Sequence, residues 1–256
     1  VARRATVIRQ IRETDPHVLV LDAGDSLVGD QEAAKESGGG TSITTMNMMG
    51  YDAMVLGPKD VALGVNLLRQ RISEARFAVL SGNAFEVSTG ELVAAPYVLR
   101  RWDDRVIAIV GVSGEPGTQE IAVRDPIETA QNIVAEVAPQ VDVVILLSHA
   151  GPAVDLEIAE VVADIDLIVS GGTVDRSSLP PDSGSQGPWI AQQTGTLVVH
   201  ADEASPGHAG RNVGMAWLVF DGEGRVSAHE WRRLSLGPQI PDDPVMAEWL
   251  TALFAP

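Results

Sequence analysis

An α/β protein with a layered sheet core follows from three features of this 256-residue chain. Short runs of Val, Ile and Leu are bounded by turn residues, helical-period segments lie between them, and alternating strands replace that rhythm after Leu179. The apolar runs VLVL (18–21), AMVL (53–56), FAVL (77–80), VIAIVGV (106–112), VVILL (143–147) and LIV (167–169) read as strands buried on both faces. Helices are expected over 42–49, 66–75, 126–138 and 153–162. A first helix, VARRATVIRQIRE, has Val7, Ile8 and Ile11 on one face and Arg3, Arg4, Arg9 and Arg12 on the other. Such a βαβα rhythm predicts sheets covered by helices, with functional loops at the carboxyl ends of the strands.

The segment 177–188 is turn-rich and reads as an exposed loop. After it, TLVVHAD, VGMAWLVFD and VSAHEWRRL read as consecutive antiparallel strands, the last two joined through the turn Asp221-Gly222-Glu223-Gly224. PDDPVMAEWLTALFAP closes the chain as a short amphipathic helix with Asp242 or Asp243 as its N-cap and a stripe of Val245, Trp249 and Leu253.

Composition narrows the function. A formal net charge of −17 opposes binding to a phosphate backbone, so nucleic acid is excluded as a partner. The chain has no cysteine, which removes thiolate ligands, thiol nucleophiles and disulfides but leaves the redox compartment open. No apolar run of transmembrane length occurs and no signal peptide is visible. The glycines of GVSGEPG (111–117) lack the spacing and helix of a phosphate loop.

Four strand-then-loop units stand out: VLVLDAGDSLVGD, YDAMVLGPKDVALG, VDVVILLSHAG and DIDLIVSGGTVD. In order and spacing they resemble the 5'-nucleotidase branch of the calcineurin-like metallophosphoesterases over nearly the whole chain. DAGDSLVGD is similar to the family's GD box, MNMMGYDAMVLGPKDVALG lies where a GNHE box would, LLSHAG matches the lone-histidine box, IDLIVSGGTVD takes the place of the GHTH box, and GRNVGMAWLVFD resembles the Gly-Arg-rich strand that follows. The resemblance implies a four-layer α/β/β/α sandwich of two mixed sheets. Residues 1–236 would form the metallophosphoesterase-like domain, with its first strand and an Asp-X-His motif expected ahead of Val1, and 237–256 a linker-like helix.

That family hydrolyses phosphoesters with two divalent ions about 3.5–4 Å apart. On the resemblance, Asp25 matches the bridging aspartate and His149 one metal-binding histidine. Elsewhere the motifs are degenerate: Pro58 and Lys59 replace the Asn and His of GNHE, and Gly172 and Val174 replace the two histidines of GHTH. Proline, glycine and valine offer no donor side chain, and an ammonium repels a cation.

Candidate substitutes at the lost positions are Lys59, whose ammonium would neutralise Asp25 in place of a metal, and Asp60 and Asp175 as repositioned ligands. Asn83 and Arg211 are expected near a ligand, although each residue also fits a plain loop or surface role. Asp22 reads best as a buried hydrogen-bond acceptor. His200 and His208, with Asp202 and Glu203, offer an oxygen-and-nitrogen set on one polar loop, while His17 and His229 read as surface residues.

Two functions remain. The expected one is a domain that has lost dinuclear hydrolysis, holds no metal or one weakly held divalent ion, and serves as a binding or structural module for protein partners. Trp189 beside the 177–188 loop, and Trp249 and Phe254 on the last helix, are its candidate contacts. The alternative is an active extracytoplasmic phosphoesterase or 5'-nucleotidase that uses two divalent ions such as Mn or Zn, substitute ligands and a nucleotide substrate. The resemblance implies an extracytoplasmic or cell-envelope location in either case.

Overall fold

A computed structural model describes residues 1–29, 32–172, 188–201, 210–222 and 226–253. A three-stranded parallel sheet has the order β1 (Leu21–Asp22), β2 (Ala53–Val55), β3 (Ala78–Leu80). A six-stranded mixed sheet has the order β10 (Trp189–Ile190), β11 (Leu197–Val199), β9 (Leu167–Ser170), β8 (Val143–Ser148), β6 (Arg105–Val112), β5 (Tyr97–Trp102). Its inner strands run parallel, whereas β5 and β10 are antiparallel edges. A short antiparallel pair, β4 (Ala84–Glu86) and β7 (Ile121–Val123), stands apart from both sheets.

Residue parity sorts the core into three interfaces. Ile107 and Ile109 of β6, with Val143, Ile145 and Leu147 of β8, meet Ala53, Val55 and Leu80 between the sheets. Their neighbours Ala108, Val110, Val144 and Leu146 face outward, beneath α6 (Pro126–Val137) and α7 (Pro152–Val161). On the opposite side, Met54, Leu56 and Val79 pack under α1 (Ala2–Thr14), α3 (Gly40–Met49) and α5 (Val65–Glu74) through Ile8, Ile43, Met46 and Leu68. A five-residue helix, α2 (Glu32–Glu36), leads into α3. Alternation of side chains across each strand thus makes both faces of both sheets apolar, and the result is the α/β/β/α sandwich.

The helix starts have local causes. In α6, Pro126 follows the N-cap Asp125, whose carboxylate accepts from the Glu128 amide at 2.8 Å. The final helix, α8 (Pro244–Leu253), is capped by Asp243, which accepts from the Met246 amide. Its inward face differs from the expected stripe: Met246, Ala247, Trp249 and Leu250 pack on the core, while Val245 is exposed. Trp249 is common to the two faces, and the rest of the inward face is shifted by one position. An Arg9–Asp243 ion pair at 3.1 Å and a bond from the Asp243 amide to the Ala2 carbonyl tie α8 to α1.

The alternating pair of strands forms the antiparallel ribbon β12 (Asn212–Phe220) and β13 (Val226–Ser235), which sends Leu218, Phe220 and Trp231 into the inter-sheet core. TLVVHAD departs from expectation. Its strand β11 runs parallel to β9 inside the large sheet and is buried on both faces at Leu197, Val198 and Val199. Continuous burial is the mark of an interior parallel strand, and the sequence carries it as an unbroken apolar run. Trp189 is buried in the outer cluster and Trp249 packs on the helical one, so both tryptophans close the core. Phe254 and residues 177–187 lie outside the described residues.

Candidate functional site

Loops from the carboxyl ends of both sheets meet at Asp25 and His149. Asp25 follows β1 in a left-handed conformation (φ 59°), directly after Gly24 (φ 94°), and this tight reversal turns its carboxylate toward the second sheet. His149 follows β8, and its amide bonds the Val112 carbonyl at the tip of β6. The Asp25 Oδ2 to His149 Nε2 distance is 3.4 Å, and the other ring nitrogen, Nδ1, faces the Ala23 carbonyl. With an acceptor at each nitrogen, the ring satisfies both only when doubly protonated.

Electrostatics agree with that arrangement. Burial alone would lower the His149 pKa, but the bond to Asp25 and its charge outweigh it and hold it above the usual histidine range. Burial likewise pushes Asp25 up, and the bond and charge of His149 with the Lys59 amide bring it below the usual carboxylate range.

Close approach of the loops requires glycine. A methyl group on Gly57 would sit 2.7 Å from the Asp25 amide and nearer still to its carboxylate, and one on Gly24 would sit 2.7 Å from His149 Nδ1. From the second sheet, a methyl on Gly171 would lie 2.8 Å from the same ring nitrogen.

Lys59 and Asp60 occupy α4 (Pro58–Val61), the short helix after β2. The Lys59 amide donates to Asp25 Oδ1 at 2.8 Å, whereas its ammonium stands 3.9 Å from Oδ2 on a side chain that is 60% exposed. Backbone and imidazole therefore supply the close contacts to Asp25, and the ammonium lies beyond them. Asp60 is fully buried and turned inward. It accepts from the amides of Asp25 at 2.8 Å, Leu27 at 2.9 Å and Gly57 at 2.9 Å, so both its oxygens serve backbone donors. Burial raises its pKa to about 7 against those amides, which favour the ionised form.

Asn83 is buried and fully engaged: its amide group donates to the Ser113 and Arg124 carbonyls, and its oxygen accepts from the Ser113 amide. Arg211 is exposed, and its carbonyl accepts from the Leu236 amide. His200 follows β11 and is buried, with Nε2 at 3.2 Å from the Gly172 carbonyl. Asp22 accepts from the Gly24 amide and is raised by burial. His17 is surface-exposed and pairs with Asp103. Asp175, Asp202, Glu203 and His208 lie outside the described residues.

The structure also brings forward residues to which the sequence reading gave no role. Ser148 and Ser170, side by side at the tips of β8 and β9, flank Asp155 of α7. Only the paired occurrence of serine at two strand ends signals them in the sequence.

Two divalent ions do not fit the donor set of the described residues. Among the described residues no three His, Asp or Glu side chains converge as metal ligands. Asp60 is committed to amides, both nitrogens of His149 face acceptors, and Pro58 and Gly172 carry no donor atom.

Comparison with known proteins supplies the lineage. The bovine (Bos taurus) 5'-nucleotidase is 32% identical over 95% of this chain, which spans 45% of that protein. A solved 5'-nucleotidase precursor from Thermus thermophilus superposes with a TM-score of 0.83 and 26% identity, covering 98% of this chain and 52% of the other. The calcineurin-like phosphoesterase YfkN of Bacillus subtilis shares the fold, with a TM-score of 0.79 and 22% identity over 99% of this chain and 87% of that one. The chain thus spans about half the length of the curated relatives it matches. No family model matches it.

Proposed function

Since this chain is homologous to the 5'-nucleotidases and shares their metallophosphoesterase fold, we propose that it is a member domain that has lost dinuclear-metal phosphoester hydrolysis and serves as a binding or structural module. The observation that carries the proposal is that the close contacts of Asp25 are an imidazole and a backbone amide. His149 and the Lys59 amide bond this carboxylate, and Asp60 is turned away to hold the loops. In a metal site the imidazole is neutral and its second nitrogen is oriented by an outer hydrogen bond. Here the ring faces an acceptor on each side. Loss of one supporting residue alone lowers metal affinity about 10–100-fold, and this chain departs from the family pattern at four donor positions.

What remains is a polar site between the strand ends of two sheets, set in a strongly acidic protein. Protein partners and an extracytoplasmic or envelope setting complete the reading. Metal analysis of the purified protein, together with hydrolysis of a generic phosphoester in added manganese, tests it. The expected result is less than one equivalent of tightly held metal and no turnover above background. Two equivalents with clear turnover would overturn it and establish the second reading, an active phosphoesterase with substitute ligands, which the survival of Asp25 and His149 at one spot favours.

A further inference from the structure

Asp155 is completely buried beneath the site, yet its two oxygens are treated unequally. Oδ1 accepts from the Ser148 hydroxyl at 2.5 Å, and Oδ2 has no partner. Ser170 Oγ is likewise buried without a partner, and it lies beside the same carboxyl. Two of the few orphaned polar atoms among the described residues therefore belong to one buried carboxyl–hydroxyl group. A proton placed between them satisfies both.

We propose that Asp155 is carried as the neutral carboxylic acid, donating its own proton to Ser170 Oγ while accepting from Ser148 Oγ, as a positioning residue that latches the tips of β8 and β9. Ser148 is already fixed on its other side, because its Oγ accepts from the Ala150 amide. The latch thus holds the turn on which His149 sits. It also holds the start of Gly171–Gly172, whose amide at Gly171 returns to the Ser148 carbonyl. Gly171 in turn lies so close to His149 Nδ1 and to Ala23 that any shift of the β9 tip is felt at the Asp25–His149 pair.

The polar surroundings favour the neutral form. Hydroxyl groups are the side-chain partners of Asp155, and the ionisable group whose charge reaches it is His149, itself held by Asp25. An ionised carboxylate would be buried there with no cation in contact, which proteins avoid. Burial accordingly raises its pKa to about 7, against the lowering effect of the two hydroxyls. A neutral acid, by contrast, uses each atom: one acceptor, one donor, two serines.

Infrared difference spectroscopy of the whole protein at pH 5.5, wild type minus Asp155→Asn, tests this directly. At that pH an ordinary carboxyl group is ionised. The expected spectrum contains a protonated-carboxyl carbonyl band that shifts in deuterated water and is missing from the variant. Asp155→Asn, which keeps a donor and an acceptor, is expected to fold with the wild-type chemical shift of the His149 ring, whereas Asp155→Leu moves that shift or fails to fold. A carboxylate band in place of the acid band overturns the proposal. So does a His149 ring unchanged in a folded Asp155→Leu variant.

Discussion

Among the described residues one carboxyl group behind each sheet has no exposed surface, and the two are held in opposite ways. Asp60, behind the first sheet, accepts from three backbone amides. Asp155, behind the second, meets the hydroxyls of Ser148 and Ser170. Burial raises both to about 7, so depth does not distinguish them. Their partners do. An amide only donates, and three of them fix Asp60 as an acceptor at both oxygens. A hydroxyl can reverse, which leaves Asp155 free to keep a proton. The first sheet's carboxyl is thus a piece of backbone in side-chain form, and the second sheet's is a latch.

The sharpest way to break that contrast is to delete the Asp60 acceptor. Asp60→Ala strands three amides in a buried loop, and equilibrium unfolding in urea is expected to show a loss of about 3–5 kcal/mol. Asp60→Asn turns an NH₂ group toward one of those amides and is also expected to destabilise, by about 1–3 kcal/mol. The matching Asp155→Asn change leaves two satisfiable bonds and costs less. Equal losses in the two asparagine variants would erase the distinction.

Next in size is the packing between loops. Gly57→Ala inserts a methyl against the Asp25 amide and carboxylate, and overpacking of this kind costs about 1–3 kcal/mol. Because the obstruction is backbone, no rotamer change relieves it. A melting temperature equal to wild type would show that the first sheet's loops have room to part, against the tight contact between Gly57 and Asp25.

A pH titration separates the two carboxyls by a different route. The folded pKa of Asp155 lies above its ordinary value of 3.8, so between pH 3.8 and about 7 the folded state binds more protons than the unfolded one. Its contribution is fully present below the lower limit and is lost as pH rises toward the upper one. Wild-type stability minus that of Asp155→Asn should therefore fall with pH across this window, with a limiting slope of about 1.4 kcal/mol per pH unit. Taking the difference cancels Asp25, Asp60 and His149, which titrate in both proteins. A flat difference would mean that Asp155 is ionised throughout.

Most of the architecture was legible in the sequence, because strands buried on both faces leave continuous Val, Ile and Leu runs, as at 106–112 and 143–147. The short strands β4 and β7 were not, since three residues carry no period. β11 was readable as a strand but not as a parallel one, because its pairing with β9 is settled across a gap of many residues. At the site, Asp25 and His149 could be named from their settings. Asp60 could be named too, but not its direction: its carboxylate faces inward to accept from the Gly57 amide of its own turn and from the Asp25 and Leu27 amides of the loop after β1. The Ser148–Asp155–Ser170 group left only a faint trace, a serine at each of two strand ends, since its members come from three elements.

The smallest expected effect concerns Lys59. Its place on the loop offers two readings, an ammonium that neutralises Asp25 in place of a metal and a solvated surface lysine. The geometry gives that role to other donors, since the Lys59 amide donates at 2.8 Å and His149 approaches at 3.4 Å, with the ammonium at 3.9 Å on a largely exposed side chain. An exposed pair at that distance contributes about 0.2–1 kcal/mol and is screened by salt. Lys59→Ala keeps the amide bond intact, so its loss of stability should stay below about 1 kcal/mol and shrink further as sodium chloride is added during thermal unfolding. Proline at this position would instead remove the amide and test the larger share. If alanine costs several kcal/mol and the cost is independent of salt, then the lysine side chain is part of the buried centre after all, and the first sheet's loop is held by charge as well as by Asp60.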